Sequence, residues 1–142
     1  MAKELKFYIC EHCKNVIIKV SDSKVPVMCC GQLMKELVAN TVDAAVKKHV
    51  PVVTRENNIL KVSVGSVEHP MIEEHYIEFI VLETASGFRV AYLNPHDKPE
   101  VEFYSDEPVI AVYAYCNLHG LWKTSIYHRI LKIIVKNKRI NF

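Results

Sequence analysis

Val109-Ile110-Ala111-Val112-Tyr113-Ala114-Tyr115 runs directly into Cys116-Asn117-Leu118-His119-Gly120-Leu121-Trp122. The first half is apolar throughout and rich in β-branched and aromatic side chains, which predicts a central strand buried on both faces. The second half places a thiol and an imidazole three residues apart, followed by glycine, where that strand must turn. Such a strand needs neighbours, and the flanking sequence offers them. Residues 59–64, 76–82, 88–93, 101–104 and 122–127 are rich in Val, Ile, Tyr and Phe, with Gly, Pro, Asn and Asp between them. Several short strands at this spacing predict an antiparallel β-sandwich. One short helix is expected over 42–48, with Thr41 as its cap. An edge strand is expected over 129–142.

Upstream of residue 38 the pattern changes. Residues 1–37 hold four of the five cysteines. Phe7-Tyr8-Ile9 and Val16-Ile17-Ile18-Lys19-Val20 read as a hairpin, followed by a turn at Ser21-Asp22-Ser23 and a further extended piece at Val25-Pro26-Val27-Met28. A segment this small buries too little apolar surface to stand alone and needs a metal or a disulfide. Cys10-Glu11-His12-Cys13 can aim two sulfurs at one ion. Cys29-Cys30 is an adjacent pair, whose side chains diverge in extended backbone, so one ion held by both implies a distorted tetrahedron. Four thiolates suit zinc or iron alike. Zinc would make the segment structural, whereas iron would make it a one-electron carrier. His12 is read as solvated.

Composition narrows the classes. The chain has 142 residues, 24% of them charged, and a net charge of +2. That balance belongs to a globular protein, and the charge is too small for a nucleic-acid-binding face. The basic stretch 132–139 reads as a solvated strand edge. No apolar run is long enough to span a membrane. The opening Met1-Ala2-Lys3-Glu4-Leu5-Lys6 lacks the apolar core of a signal peptide, so a cytoplasmic location is expected. An odd cysteine count in a reducing compartment points to metal or catalysis rather than disulfides.

Four histidines of the second part fall at turns or strand ends. His49 precedes Val50-Pro51, His69 precedes Pro70, His75 follows Met71-Ile72-Glu73-Glu74, and His119 lies three residues after Cys116. Each alone is an ordinary surface or core residue, but together they converge at one end of a sandwich. His96 and His128 lack this context. Four imidazoles and a thiolate exceed the tetrahedral zinc set and suit iron with five ligands and one open position. Ferrous iron with one thiolate keeps a single positive charge, which attracts a small anion. A blue-copper carrier is a rival reading, but the methionine expected after the histidine is replaced by Gly120 and Leu121. A zinc-ribbon-like binding module with bystander histidines is another. Two irons, one copper or one zinc per chain would separate the three.

Cys10-x-x-Cys13, Cys29-Cys30, Lys48-His49-Val50-Pro51-Val52, His69-Pro70-Met71, His75 and Cys116-Asn117-Leu118-His119-Gly120-Leu121-Trp122 together resemble desulfoferrodoxin, the two-iron superoxide reductase family, over about residues 5–124. The resemblance implies a desulforedoxin-like domain over 1–37, binding iron through Cys10, Cys13, Cys29 and Cys30. It implies an immunoglobulin-like catalytic domain over 38–127, with His49, His69, His75 and His119 in a plane around a second iron and Cys116 axial. Residues 128–142 form an extension. By the same resemblance the activity is one-electron reduction of superoxide to hydrogen peroxide, the donor a rubredoxin-like protein and the assembly a homodimer. Lys48 would attract superoxide and organise protons. The family usually reads Glu-Lys-His where this chain has Lys47-Lys48-His49, and Glu74 stands where a lysine is common. An exchange of charges between these positions is expected.

Overall fold

The computed structural model describes residues 4–126. Its contacts divide the chain between Ala39 and Asn40 into two units.

In the first unit the two apolar triplets pair as expected. Strand β1 (Phe7–Ile9) is the middle of a three-stranded antiparallel sheet, between β2 (Val16–Ile18) and a strand downstream. Of the extended piece expected at 25–28, only Met28 is in a strand. It begins β3 (Met28–Cys29), which turns through Cys30 and Gly31 into β4 (Gln32–Leu33). Strand β5 (Lys35–Leu37) then returns to the other side of β1, with Phe7 opposite both Ile18 and Leu37. Among the described residues of this unit, only Phe7 and Cys10 are fully buried. Its apolar core is correspondingly small.

The second unit opens with α1 (Val46–His49), a single turn. The helix expected over 42–48 is therefore shorter and later than its sequence suggests. Ala45, not Thr41, is the N-cap residue; its backbone is extended and no side chain caps it. Seven strands follow: β6 (Pro51–Glu56), β7 (Ile59–Val64), β8 (Ile77–Thr84), β9 (Gly87–Tyr92), β10 (Glu100–Tyr104), β11 (Val109–Cys116) and β12 (Gly120–Ser125). They form two antiparallel sheets, ordered β10-β7-β6 and β12-β11-β8-β9. Strand β11 is internal to its sheet and buried along nearly its whole length, as its unbroken apolar run requires. One core lies between the sheets. Leu60, Val62, Val64 and Phe103 from one meet Ile80, Leu82, Val112, Ala114 and Cys116 from the other. The fold is thus mainly β, a seven-stranded sandwich of the immunoglobulin-like type.

On the outer face of the larger sheet, Phe79 and Tyr115 stack at 5.2 Å, and the Tyr113 hydroxyl donates to buried Glu83 at 3.0 Å. The expected strand over 129–142, the basic stretch 132–139, His128 and the end of the last strand at Tyr127 lie outside the described residues. No helix among the described residues is long and apolar enough to cross a membrane.

Candidate metal centres

Cys10 directly follows β1, and the turn after it is closed by the Lys14 amide donating to the Cys10 carbonyl at 2.8 Å and the Cys10 amide donating to the Asn15 carbonyl at 2.9 Å. That turn folds Cys13 back beside Cys10. Across from it, Cys30 has a left-handed backbone, φ 51°. The adjacent pair is therefore not extended, and the divergence expected of neighbouring side chains is undone. All four sulfurs lie within 4.8 Å of one another. Cys13 and Cys29 approach to 3.6 Å, and the Asn15 amide donates to the Cys29 sulfur at 3.7 Å.

The thiols differ in acidity. The backbone N–H of Cys13, more than any other group, pulls the Cys10 thiol down to about 6. The Cys30 thiol is pushed up to about 12, first by its hydrogen bonding with Cys13 and Cys10. Cys29 is raised for the same reason. Four thiolates at this spacing repel one another, so all four ionise together only around a cation. The donor set fits a soft tetrahedral ion. His12 is exposed and outside the group.

The second centre collects side chains from three separate segments. His49 ends α1, His69 and His75 lie on the long loop between β7 and β8, and Cys116 and His119 flank the β11–β12 turn. The four imidazoles close a quadrilateral: His49 to His69 is 4.7 Å between ring centres, His69 to His75 4.7 Å, His75 to His119 5.0 Å and His119 to His49 4.9 Å. The diagonal from His49 to His75 is 6.3 Å. Neighbouring rings meet nearly edge to face, at 74° to 88°. Donor atoms of His49, His75, Cys116 and His119 lie within 4.8 Å of one another, and His69 joins them through its ring contacts.

Hydrogen bonds select which nitrogens remain for a metal. His49 Nδ1 is 2.7 Å from the Ala45 carbonyl, and His69 Nδ1 is 2.6 Å from the Pro70 carbonyl. Each carbonyl demands the proton on Nδ1, leaving Nε2 with its lone pair. Nε2 of His69 and of His75 is buried without a hydrogen-bond partner. Buried nitrogens are rarely left so unless something else satisfies them. Nε2 of His49 lies 3.1 Å from Nδ1 of His119, itself 3.9 Å from the Cys116 sulfur. Burial lowers the imidazoles of His49 and His75 and takes His69 down to about 4. Imidazoles that resist protonation are imidazoles ready to ligate. Burial raises the Cys116 thiol, and backbone N–H groups of His119 and Leu118 oppose it. Four neutral nitrogens and one thiol exceed the tetrahedral zinc set and fit iron.

Two supports were not singled out from sequence. Asn117 accepts from the Tyr76 amide at 2.9 Å and donates to the Glu74 carbonyl at 3.0 Å, tying the Cys116–His119 turn to the segment that carries His75. Trp122 stacks on His49 at 4.9 Å, and its Nε1 donates to the His119 carbonyl at 3.1 Å. Both lie inside the quoted Cys116-to-Trp122 motif, where asparagine reads as a turn residue and tryptophan as core. Lys48 is exposed beside His49, and His96 faces Glu73 at 3.9 Å, outside the cluster.

Comparison with known proteins gives a consistent picture. The family model described as desulfoferrodoxin matches residues 41–125. A desulfoferrodoxin of Syntrophotalea carbinolica is 44% identical over 87% of this chain and 98% of its own length. One from Clostridium acetobutylicum is 41% identical over 89% of this chain and all of its own. The crystal structure of the superoxide reductase from Treponema pallidum superposes with a TM-score of 0.73, at 36% identity, covering 87% of this chain and 100% of that one.

Proposed function

The chain belongs to the desulfoferrodoxin family, and from that premise we infer that it is a superoxide reductase, taking superoxide, one electron and two protons to hydrogen peroxide without releasing dioxygen. The observation that carries this reading is the quadrilateral of imidazoles with the Cys116 thiol beside it. Iron held by His49, His69, His75, His119 and Cys116 would supply the electron, and iron held by Cys10, Cys13, Cys29 and Cys30 would store one.

The chain's own groups then have distinct tasks. The carbonyls of Ala45 and Pro70 fix two imidazole tautomers. Amides of Leu118 and His119 stabilise charge on the Cys116 sulfur and so temper how strongly it donates. Lys48 draws the substrate anion and organises protons from solvent. Steering of this kind raises encounter rates by about 10- to 1,000-fold. Lys48→Ala should therefore slow the second-order reaction at low salt, less so at high salt, with both irons retained. An unchanged low-salt rate removes Lys48 from the mechanism. Lys47 cannot supply the carboxylate usual at its position, and exposed Glu74, next to His75, is the one we assign instead. Glu74→Gln should slow peroxide release or alter the ferric spectrum.

We assign 1–37 to the desulforedoxin-like domain and 38–127 to catalysis. Exposed Val46, Val67, Ile72 and Leu118 lie on the segments that bear the four histidines, which favours a small protein donor of the rubredoxin kind. Five free cysteines support our assignment of a cytoplasmic setting, and we assign a homodimer on the resemblance alone. The deciding experiment is stopped-flow reaction of iron-replete protein with superoxide. One peroxide per superoxide and no dioxygen is expected; one per two, with dioxygen, would mean dismutation.

A further inference from the structure

Gly65 follows β7 directly, on the loop that leads to His69, and it is buried. Its backbone lies against the peptide that joins Lys47 to Lys48, immediately before His49. A Cβ at residue 65 would stand 2.5 Å from the Lys47 carbonyl oxygen and 2.9 Å from the Lys48 carbonyl carbon. Both are backbone atoms, which cannot swing aside as a side chain can. The same Lys47 oxygen accepts from the Val67 amide at 3.0 Å and the Ser66 hydroxyl at 3.3 Å. The loop is also closed on itself, through Gly65 N–H to the Val67 carbonyl at 3.2 Å and His69 N–H to the Val64 carbonyl at 2.9 Å. The segments bearing His49 and His69 thus share one backbone seam, and their rings meet 4.7 Å apart.

We propose that Gly65 is a positioning residue for the histidine and cysteine centre: by letting the 64–69 loop lie flush on the Lys47–Lys48 peptide, it sets where Lys48 and His49 stand relative to His69. A methyl group there forces the two segments apart by on the order of 1 Å, about twice what a preorganised site tolerates. A displacement of about 1 Å can cost roughly 100-fold in rate. Gly65 touches neither substrate nor metal. Its effect passes through the peptide before His49, whereas a glycine needed only for folding would also loosen amide protection in β8 and β11, away from the 64–69 loop.

The proposal rests on the reading that the five side chains hold iron, and the test separates the two. Full-length, iron-replete wild type, Gly65→Ala, Ser66→Ala and Ser66→Thr are compared for iron per chain. A chelator then removes iron, followed at the absorption of each centre, and amide exchange at Val67 is measured in the metal-free protein. Gly65→Ala should release iron from the histidine and cysteine centre about 10- to 100-fold faster, the scale seen when supports of metal ligands are lost. Release from the four-thiolate centre should not change, and Val67 should exchange faster. Ser66→Ala should move the same way by a few-fold, and Ser66→Thr, which keeps the hydroxyl, should restore wild-type behaviour. Wild-type release and exchange in Gly65→Ala overturn the proposal, as does loss of amide protection throughout β8 and β11 in the metal-free protein. If Gly65→Ala does not fold, the serine pair decides: wild-type release in Ser66→Ala overturns it. A wild-type chain that binds a single iron sinks the parent reading instead.

Discussion

Asn117 shows how much a single side chain can carry at this site. Its amide group makes one hydrogen bond to the Tyr76 amide and one to the Glu74 carbonyl, so Cys116 and His119 are held against the segment of His75. Asn117→Ala leaves both backbone groups to find new partners, at a cost of about 1–3 kcal/mol. Iron should leave the histidine and cysteine centre roughly tenfold faster or more, while the four-thiolate iron is unaffected. Chelator release followed at the two absorption bands checks this; equal release in mutant and wild type would dismiss the bridge. At this scale the thiols and imidazoles that gather in the two clusters are legible in the sequence. Thiols and imidazoles at strand ends announce their chemistry by type and spacing. Gly65, Asn117 and Trp122 act through backbone contact or stacking, and those depend on which loops meet, which local sequence does not encode.

Between elements, Glu107 performs a similar service away from the metals. Its carboxylate accepts from Thr84 at 2.9 Å and Ser86 at 2.7 Å, pinning the β8–β9 turn to the segment before β11. The Ser86 and Thr84 hydroxyls hold its pKa below the usual glutamate value. A carboxylate depressed in the folded state contributes stability that is present above the unfolded pKa and lost as pH falls through the folded one. Glu107→Gln should therefore lower the urea midpoint at neutral pH, and the gap from wild type should close as the acid range is entered. A gap independent of pH would show that charge on Glu107 is not involved. Strand prediction succeeds where the apolar signal is strong, by alternation in β7 and by continuous runs in β8 and β11. It missed β6, an edge strand whose Thr54, Arg55 and Glu56 are exposed and whose Pro51 opens it. The helix was overextended because the Ala-rich stretch before α1 has helical propensity, whereas the contact of Lys47 with the 64–69 loop fixes the turn only from Val46 onward.

For the whole molecule, the two units differ in what holds them. The sandwich has a core of many buried side chains from both sheets, while among the described residues of the N-terminal unit only Phe7 and Cys10 are completely buried. Its stability must come largely from its metal. Cys13→Ser, or chelation of that centre, should abolish amide protection over 7–37 and leave protection in β8 and β11 intact. Hydrogen exchange read by mass spectrometry settles it; persistent protection over 7–37 would show that the small unit folds without its ion.

The span of the imidazole quadrilateral has a temporal consequence. Its corners run from His49 to His119, whereas the thiolate cluster is complete by Cys30. A chain leaving the ribosome exposes Cys10, Cys13, Cys29 and Cys30 long before the β11–β12 turn is made. Iron meeting the nascent protein can therefore fill the small centre first. The reactive one gains its full set of side chains only when synthesis has passed His119, so it is completed late in translation.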